Sequence, residues 1–172
     1  MPKCAHCKQP YTRTHNGIET WCSVDCGYAL ARAKQAKQFK AETAVMKKAI
    51  KDKDRAYWQK RAQTAFNAWI RKRDAGLPCI SCGVPDGKGK RNAGHYRPAH
   101  VNAALRFSEI NCHGQCEACN TSLSGNLINY RKGLVLKIGL DAVECLENCH
   151  AIQRWTIEEF KNIEIDYKAR LR

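Results

Sequence analysis

Two pairs of closely spaced cysteines are the residues of this chain best suited to hold a metal ion. Cys79 and Cys82 form one C-x-x-C pair, and Cys116 and Cys119 form another. Four thiolates at this spacing can complete a tetrahedral shell around Zn²⁺, which leaves no open position and makes the ion structural. We therefore expect one closed zinc site that clamps the segment between the two pairs.

The clamped segment contains polar side chains that could carry a reaction. His95 and Asn111 lie between the two cysteine pairs, and Asn120 directly follows Cys119. An imidazole with a pKa near neutrality can take a proton from an attacking water. The amide oxygen of Asn120 is a hard, neutral ligand suited to Mg²⁺ or Mn²⁺. We therefore expect an active site here, with Asn111 anchoring the second strand or its loop.

The sequence of residues 76–130 resembles those of the ββα-metal endonucleases, also called HNH or His-Me finger nucleases. The phrases GLPCISCG, NAGHY, LRFSEINCHGQCEACN and LSGN are most similar to the zinc-stapled phage recombination endonucleases of the NinG or Rap family. This resemblance implies His95 as general base at the end of a first strand and Asn111 near a second. It places Asn120 early in the helix that carries the last cysteine pair. It also implies branched DNA, such as Holliday junctions, flaps or three-way junctions, as the substrate.

This sequence differs from the family pattern at the residue before the histidine. Many such nucleases carry a metal-binding acid there, but this chain has Gly94. One asparagine and a shell of waters can suffice for Mg²⁺, which dehydrates reluctantly. His113 and Glu109 are the candidates for a second ligand. The alternative is that Glu109 is an exposed acid and His113 a turn residue or phosphate contact.

A second set of four cysteines lies at the N-terminus. It consists of Cys4, Cys7, Cys22 and Cys26. Its spacing resembles that of treble-clef fingers, in which a turn and the start of a helix supply the ligands, so residues 1–27 are expected to form a small zinc finger. Four cysteines already complete the shell, so His6 and His15 are expected to be bystanders. The chain should thus hold two structural Zn²⁺ ions.

Three cysteines remain outside the two quartets. We expect Cys112, Cys145 and Cys149 to be buried thiols, because free cysteine behaves as a small apolar residue. The alternative is a third metal site that uses Cys145, Cys149 and His150. Asp141, with Glu144 three residues later, is expected to begin the helix that carries the last two thiols.

Residues 28–75 are predicted to form a basic helical arm, because they lack glycine and proline and are rich in Ala, Lys, Gln, Arg and Glu. Two alternatives remain open: one continuous helix, or a break near residues 51–54 with Asp54 capping a second helix. The apolar residues of the arm recur at helical spacing, which predicts packing against the core or against a second chain in a homodimer. This stripe includes Phe39, Met46 and Ile50.

The net charge of +14 favours a polyanionic partner. Residues 31–73 hold 14 Lys or Arg against 3 Asp or Glu. A solvated surface usually mixes both signs, whereas this segment is nearly all positive and therefore suits DNA phosphates. The side chains expected to contact DNA are Lys47, Lys48, Lys51, Arg71, Lys72, Arg73, Lys88, Lys90 and Arg91.

The remaining composition limits the class of protein. Eleven cysteines would suit a secreted disulfide protein, but no apolar signal segment opens this sequence, so we expect a reducing cytoplasm, that of a bacterial host if the phage resemblance holds. No apolar run reaches the roughly 18–20 residues that a membrane-spanning helix needs. Neither secretion nor membrane insertion is therefore expected.

Taken together, these patterns predict an α+β protein with four parts. They are a zinc finger (1–27), a basic helical arm (28–75), a ββα-metal nuclease core with the second zinc (76–130) and a helical tail (131–172). Thr156 is expected to begin the last helix through a capping box. The predicted function is DNA phosphodiester hydrolysis assisted by one Mg²⁺ or Mn²⁺ ion. The alternative is a non-enzymatic DNA-binding or transcription-regulatory protein, which explains the charge but not the pairing of His95 with Asn120.

Overall fold

The fold is that of a computed structural model, which describes residues 1–13 and 17–172; His15 lies outside them. The described chain separates into two compact units, Met1–Lys53 and Asp54–Arg172. Each unit is described on its own. Within the described residues, five helices of eight or more residues accompany a two-stranded antiparallel sheet, so the chain is α+β as the sequence predicts.

The first unit consists of a cysteine-bearing turn followed by helix α1, Val24–Asp52. An isolated antiparallel bridge joins Lys3 to Pro10 and closes the turn. Ser23 begins α1 because its backbone is extended and its hydroxyl oxygen accepts a hydrogen bond from the Cys26 N–H at 3.3 Å. The N-terminal quartet is thus divided between a turn and the start of a helix.

Helix α1 buries none of its residues. The expected packing stripe of Phe39, Met46 and Ile50 has exposed fractions between 64% and 69%. These apolar residues therefore do not form a core within the first unit, which corrects the expectation of a packed face there. The segment is helical because Ala, Lys and Gln are strong helix formers, not because one face is buried.

The helical segment breaks where the second unit begins. The Asp54 carboxylate accepts hydrogen bonds from the N–H groups of Ala56 at 2.9 Å and Tyr57 at 3.1 Å, and so caps helix α2, Arg55–Arg73. Of the two alternatives for residues 28–75, the structure has two helices. The expected boundary between residues 75 and 76 lies inside the second unit, because α2 supplies part of that unit's core.

Helix α2 packs against the last helix, α5, Ile157–Arg170. The Phe66 ring meets Tyr167 edge-on with centroids 5.0 Å apart, and it meets Phe107 at 5.7 Å. Thr156 begins α5 through a capping box with Glu159, as the sequence predicts. The buried residues of this core are Ala62, Ala65, Phe66, Ile70, Phe107, Cys112, Phe160 and Tyr167.

A β-hairpin lies against this helical layer. Strand β1, Arg91–His95, pairs antiparallel with β2, Cys112–Cys116, so that His95 is opposite Cys112. β1 ends at His95, as the family resemblance implies. Cys116 is the last residue of β2 rather than part of a helix, which corrects the expected position of the last cysteine pair. The loop between the strands contains 3-10 turns at Ala103–Leu105 and Glu109–Asn111, and a π-helical turn, Ala118–Ser122, follows β2.

Helices α3, Leu127–Ile138, and α4, Leu140–Glu147, complete the second unit. Residues 134–138 form the second half of α3. Gly139 rather than Asp141 precedes the first residue of α4, and its backbone lies at φ +86°, which suits glycine. This second core consists of Tyr96, Leu105, Tyr130, Leu134, Val143 and Leu146.

The three additional thiols differ in burial. Cys112 is fully buried, as predicted, but Cys145 is exposed and Cys149 is half-buried. Burial was therefore overestimated for the last two, because the buried face of the short helix α4 is formed by Val143 and Leu146. They form no metal-binding group with His150 among the described residues.

Across the described ranges, every helix falls short of the combination of length and apolar character that crossing a bilayer requires.

Candidate functional site

The N-terminal quartet brings its four sulfur atoms together. The Sγ of Cys22 lies 3.5 Å from that of Cys7 and 3.6 Å from that of Cys26, and all four ligand atoms lie within 4.8 Å of one another. Sulfur atoms on a tetrahedral Zn²⁺ at about 2.3 Å are about 3.8 Å apart. Cys4, Cys7, Cys22 and Cys26 could therefore hold a structural zinc ion.

The second quartet has the same geometry inside the second unit. The Sγ atoms of Cys82 and Cys116 are 3.7 Å apart, and all four ligand atoms again lie within 4.8 Å. Backbone N–H groups support the sulfurs: that of Cys116 donates to Cys79 Sγ at 3.4 Å, and that of Cys119 to Cys116 Sγ at 3.5 Å. Such donors favour the thiolate form, so this quartet also could hold a structural zinc ion.

The imidazole of His95 is held by a backbone carbonyl. Its Nε2 lies 2.8 Å from the Arg106 oxygen, which can only accept, so the hydrogen is on Nε2 and Nδ1 keeps its lone pair. The ring packs at 6.0 Å from the Phe66 ring. Burial lowers the pKa of His95 below the ordinary imidazole value. A neutral imidazole that keeps a lone pair on Nδ1 is the form that a general base requires.

The neighbour of Nδ1 is the thiol of Cys112, with Sγ at 3.7 Å. Burial raises the pKa of Cys112, so the sulfur remains a thiol at neutral pH. This pair therefore differs from the thiolate–imidazolium pair of a cysteine nucleophile. A thiol is a weak donor, so its contact with Nδ1 is weak.

Asn111 fixes the loop that follows His95. Its side-chain oxygen accepts from the Arg97 N–H at 2.8 Å, and its Nδ2 donates to the carbonyl oxygens of Arg97 at 3.0 Å and Leu105 at 3.1 Å. The residue is fully buried. Asn111 thus contacts backbone rather than reaching a substrate, and its position keeps Arg97 beside the end of β1.

Asn120 lies near Gly94 rather than near the His95 ring. Successive strand residues face opposite sides of a sheet, and His95 faces Phe66 on α2. On the other side, the Oδ1 of Asn120 lies 3.0 Å from the position that a Cβ on Gly94 would take. The two predicted functional groups therefore flank β1 from opposite faces, one residue apart along the strand. A phosphate that contacts both must lie at the strand edge.

A fully buried amide shares the Asn120 side of the hairpin. The Nε2 of Gln115 donates to Ser81 Oγ at 2.7 Å and to the Gly125 oxygen at 2.6 Å, whereas its Oε1 is buried without a hydrogen-bond partner. Oε1 points at Gly94 and would overlap a Cβ at that position. Sequence reasoning missed Gln115, because the face it occupies follows from the pairing of β2 with β1.

His113 is part of a buried polar network and is not placed as a metal ligand. Its Nδ1 is 2.9 Å from Arg73 Nη2, and its Nε2 is 3.2 Å from the Ile110 oxygen, so both ring nitrogens are engaged. Burial opposes ionisation of Asp74, but contacts with His113, Arg73 and the Gly114 N–H hold the pKa of that carboxyl well below its usual range. The role of His113 as a ligand is therefore corrected to a structural one.

Glu109, the other candidate for a second ligand, is also engaged. Its carboxylate accepts from Arg170 Nη1 at 2.7 Å and from the Tyr167 hydroxyl at 3.1 Å, both on α5. These contacts join the loop before β2 to the last helix. Glu109 therefore stabilises the second unit and does not point at Asn120.

The nine basic residues expected to contact DNA differ in their availability. Arg73 is committed to Asp74, His113 and the carbonyl oxygens of Glu109 and Cys112. The guanidinium of Arg91 donates to Asp86 and to the Val84 oxygen, and its side chain is 13% exposed. These two arginines are structural, which corrects their assignment as phosphate contacts. The side chains that are exposed are Lys47, Lys48, Lys51, Arg71, Lys72, Lys88 and Lys90.

A basic cleft that sequence reasoning missed lies beside the end of β1. It has a volume of about 360 Å³ and is lined by Arg97, His100 and His150, among others. The Nε of Arg97 is buried without a hydrogen-bond partner. Arg97 follows His95 by two residues, so the cleft offers a cationic group next to the candidate base. Its position two residues after the histidine is the one sequence signal that pointed to it.

Comparison with known proteins places the whole chain in one family. The family described as the bacteriophage lambda NinG protein matches residues 1–172. Protein ninG of Escherichia phage lambda is 43% identical over 170 residues, covering 88% of this chain and 82% of that protein. Protein ninG of Salmonella phage P22 is 42% identical, again over 88% of this chain and 82% of that protein. Protein ninG of Escherichia phage 933W is 39% identical over 99% of this chain and 92% of that protein. No solved structure matches the chain.

Proposed function

The chain belongs to the NinG family of bacteriophage lambda, and from that premise we propose that it is a metal-dependent DNA endonuclease with a ββα-metal site. The observation that carries the proposal is the state of His95. Its Nε2–H is bound to the Arg106 carbonyl and its pKa is lowered by burial, which leaves a neutral Nδ1 at the end of β1. Asn120 supplies an oxygen on the other side of the same strand end.

The proposed reaction is hydrolysis of a phosphodiester bond. His95 Nδ1 takes a proton from a water whose oxygen attacks phosphorus, and the bond to the 3′ oxygen breaks. A second water gives its proton to the leaving oxygen, so the products carry a 3′ hydroxyl and a 5′ phosphate. A Mg²⁺ or Mn²⁺ ion would offset negative charge on the phosphate and on the leaving oxygen. Asn120 would hold that ion through Oδ1, and Asn111 keeps the loop after His95 in place.

The choice of an amide ligand fits the chemistry of the ion. Mg²⁺ prefers hard oxygen ligands and keeps several waters, so it needs few side chains from the protein. The Asn120 amide is half-buried at the surface of the second unit, which leaves room for waters and for a phosphate oxygen. Within the described residues, no hydrogen bond to this amide competes with an ion.

The exposed basic residues support DNA as the substrate. Lys47, Lys48 and Lys51 lie on α1, and Arg71 and Lys72 lie in the last turn of α2. Arg97 lines the cleft beside the end of β1, and its guanidinium would bind a phosphate near the scissile one. We propose branched recombination intermediates as the preferred substrates, since the motifs resemble phage recombination endonucleases, and a homodimer as the form that binds them.

Both cysteine quartets would hold structural Zn²⁺, and the second has a direct bearing on the site. Cys119 precedes Asn120, so closure of the quartet around a metal would fix where the Asn120 amide points. Zinc would therefore act on the reaction only by positioning a ligand.

Cleavage of labelled DNA by the purified protein tests the proposal. Linear, flap and four-way substrates are incubated with Mg²⁺, with Mn²⁺ or with EDTA. Cleavage with either ion, preferentially of branched DNA and absent with EDTA, is expected. Binding to DNA without cleavage of any substrate would instead favour a non-enzymatic DNA-binding protein.

A further inference from the structure

An unpaired amide oxygen is buried on the Asn120 side of the hairpin. Gln115 is fully buried on β2, and its Oε1 has no hydrogen-bond partner. Leaving a buried acceptor unpaired is unfavourable, and buried amides in proteins are nearly always satisfied. Either this oxygen binds a partner that does not belong to the chain, or some other contact compensates for the missing hydrogen bond.

The orientation of this amide is determined by its other end. Gly125 can offer only its carbonyl oxygen, at 2.6 Å, so the atom facing it must be the NH₂ group, and Oε1 must face Gly94. A second anchor is Ser81, which lies between Cys79 and Cys82 and accepts from the same NH₂ group at 2.7 Å. The second cysteine quartet thus helps to hold Oε1 in place.

A second oxygen points to the same place. The Oδ1 of Asn120 and the Oε1 of Gln115 both lie within 3.0 Å of the position that a Cβ on Gly94 would occupy. Neither oxygen receives a hydrogen bond from the described residues. Two oxygens without donors, both beside Gly94 on the same face of β1, form an arrangement that suits a cation and not an anion.

We infer that Gln115 is the second protein ligand of the divalent ion, with Oε1 taking the place of a carboxylate at residue 94. This inference rests on the proposed metal-dependent nuclease and names a residue for the same site. Gly94 is then required, because any Cβ there would overlap Oε1. Two neutral amides leave the full charge of the ion available to the phosphate, whereas a carboxylate would offset part of it.

The competing explanation is that Gln115 only packs the hairpin. Its Oε1 would then make a weak contact with the Cα hydrogens of Gly94, and no ion would be involved. The two explanations differ in what happens to metal affinity when the oxygen is removed. Removal of a ligand weakens ion binding, whereas removal of a residue that only packs the hairpin leaves ion binding unchanged.

Binding of Mn²⁺ to the zinc-loaded, full-length protein, followed by the electron paramagnetic resonance signal of free Mn²⁺, separates them. Gln115→Ala is expected to weaken Mn²⁺ binding at least about tenfold, the low end of the range seen even for residues that only support metal ligands. Asn120→Ala should weaken it similarly. Gly94→Asp combined with Gln115→Ala should restore binding, because the carboxylate then fills the space that Oε1 vacated.

A measurement on the wild-type protein keeps the test independent of folding. In a Mg²⁺ titration followed by side-chain carbonyl ¹³C resonances, Gln115 Cδ and Asn120 Cγ should shift together with one midpoint. An unchanged Gln115 resonance, or a Gln115→Ala protein that binds Mn²⁺ as the wild type does while Asn120→Ala does not, would overturn the role of Gln115 and leave the nuclease proposal intact. Absence of Mn²⁺ binding to the wild-type protein would overturn both.

Discussion

The Nε2 of His95 donates its hydrogen to the main-chain oxygen of Arg106, 2.8 Å away across the loop between the two strands. This single contact determines the tautomer of the ring and leaves the lone pair on Nδ1, which faces the Cys112 thiol at 3.7 Å. Because the acceptor is a carbonyl rather than a carboxylate, no charge raises the basicity of the ring, and burial lowers the pKa of His95. The pH dependence of cleavage follows from this arrangement.

Cleavage should lose activity on the acid side at a pH below the ordinary imidazole value of 6.5. Only the neutral ring can accept a proton, and its protonated fraction rises as the pH falls through the pKa. Since burial lowers that pKa, the decline of kcat/KM is displaced to lower pH. A profile of kcat/KM between pH 5 and pH 8 measures it, and a midpoint above 6.5 would contradict the buried, neutral state of His95.

The buried carboxylate of Asp74 should be essential for the stability of the second unit. It pairs with Arg73 at 2.8 Å and accepts from the Gly114 N–H at 2.7 Å. Asp74→Asn should cost about 3–5 kcal/mol, the usual loss when one partner of a buried ion pair is removed. Urea unfolding gives the value. As a control, Glu117→Gln removes the exposed pair with Lys90 and should cost less than about 1 kcal/mol.

Neutralising three lysines of α1 should weaken DNA binding without changing the fold. Lys47, Lys48 and Lys51 lie on a helix that buries no residue. Replacing all three with Gln should lower the slope of log affinity against log salt by up to about one for each lost phosphate contact. Fluorescence anisotropy at several salt concentrations measures the slope. Gln35→Ala with Gln38→Ala, on the same helix, should leave it unchanged; an equal slope for both variants would remove α1 from the DNA interface.

The two cysteine quartets should hold two zinc ions per chain and should fail independently. Elemental analysis after gel filtration is expected to give two zinc ions, and Cys79→Ser or Cys116→Ser should unfold the second unit. Cys4→Ser should remove one zinc and leave the second unit folded. Cys145→Ser is the control, because that thiol is exposed and belongs to neither quartet. One zinc ion or none would show that at least one quartet is misassigned, whereas three would point to a further site at Cys145, Cys149 and His150.

Features that depend on neighbouring residues could be predicted from the sequence. The spacing of eight cysteines predicted two quartets, and both bring their sulfur atoms together. The capping box at Thr156 was also predictable, because it involves only Thr156 and Glu159, three residues later. The family motifs placed His95 at a strand end, where it lies. In each case the signal lies in a motif of a few adjacent residues.

Features that depend on long-range pairing could not be predicted. Arg73 looks like an exposed arm residue, but helix α2 turns it towards the Asp74 network. Gln115 carries no sequence signal of burial, but the register of β2 on β1 pairs it with Asn92, and it is fully buried. His95 and Asn120 lie on opposite faces of β1, because Asn120 is beside Gly94 and successive strand residues face opposite sides. This arrangement depends on where β1 begins and ends, which the sequence did not define.

The central claim is that His95 is the general base of a nuclease whose DNA affinity comes from other residues. Cleavage and binding of a labelled four-way junction are therefore measured on the same preparation of His95→Ala and of wild type, in Mg²⁺. The account predicts a loss of roughly 10² to 10⁴ in cleavage rate with an unchanged dissociation constant. A His95→Ala protein that cleaves at the wild-type rate would contradict it.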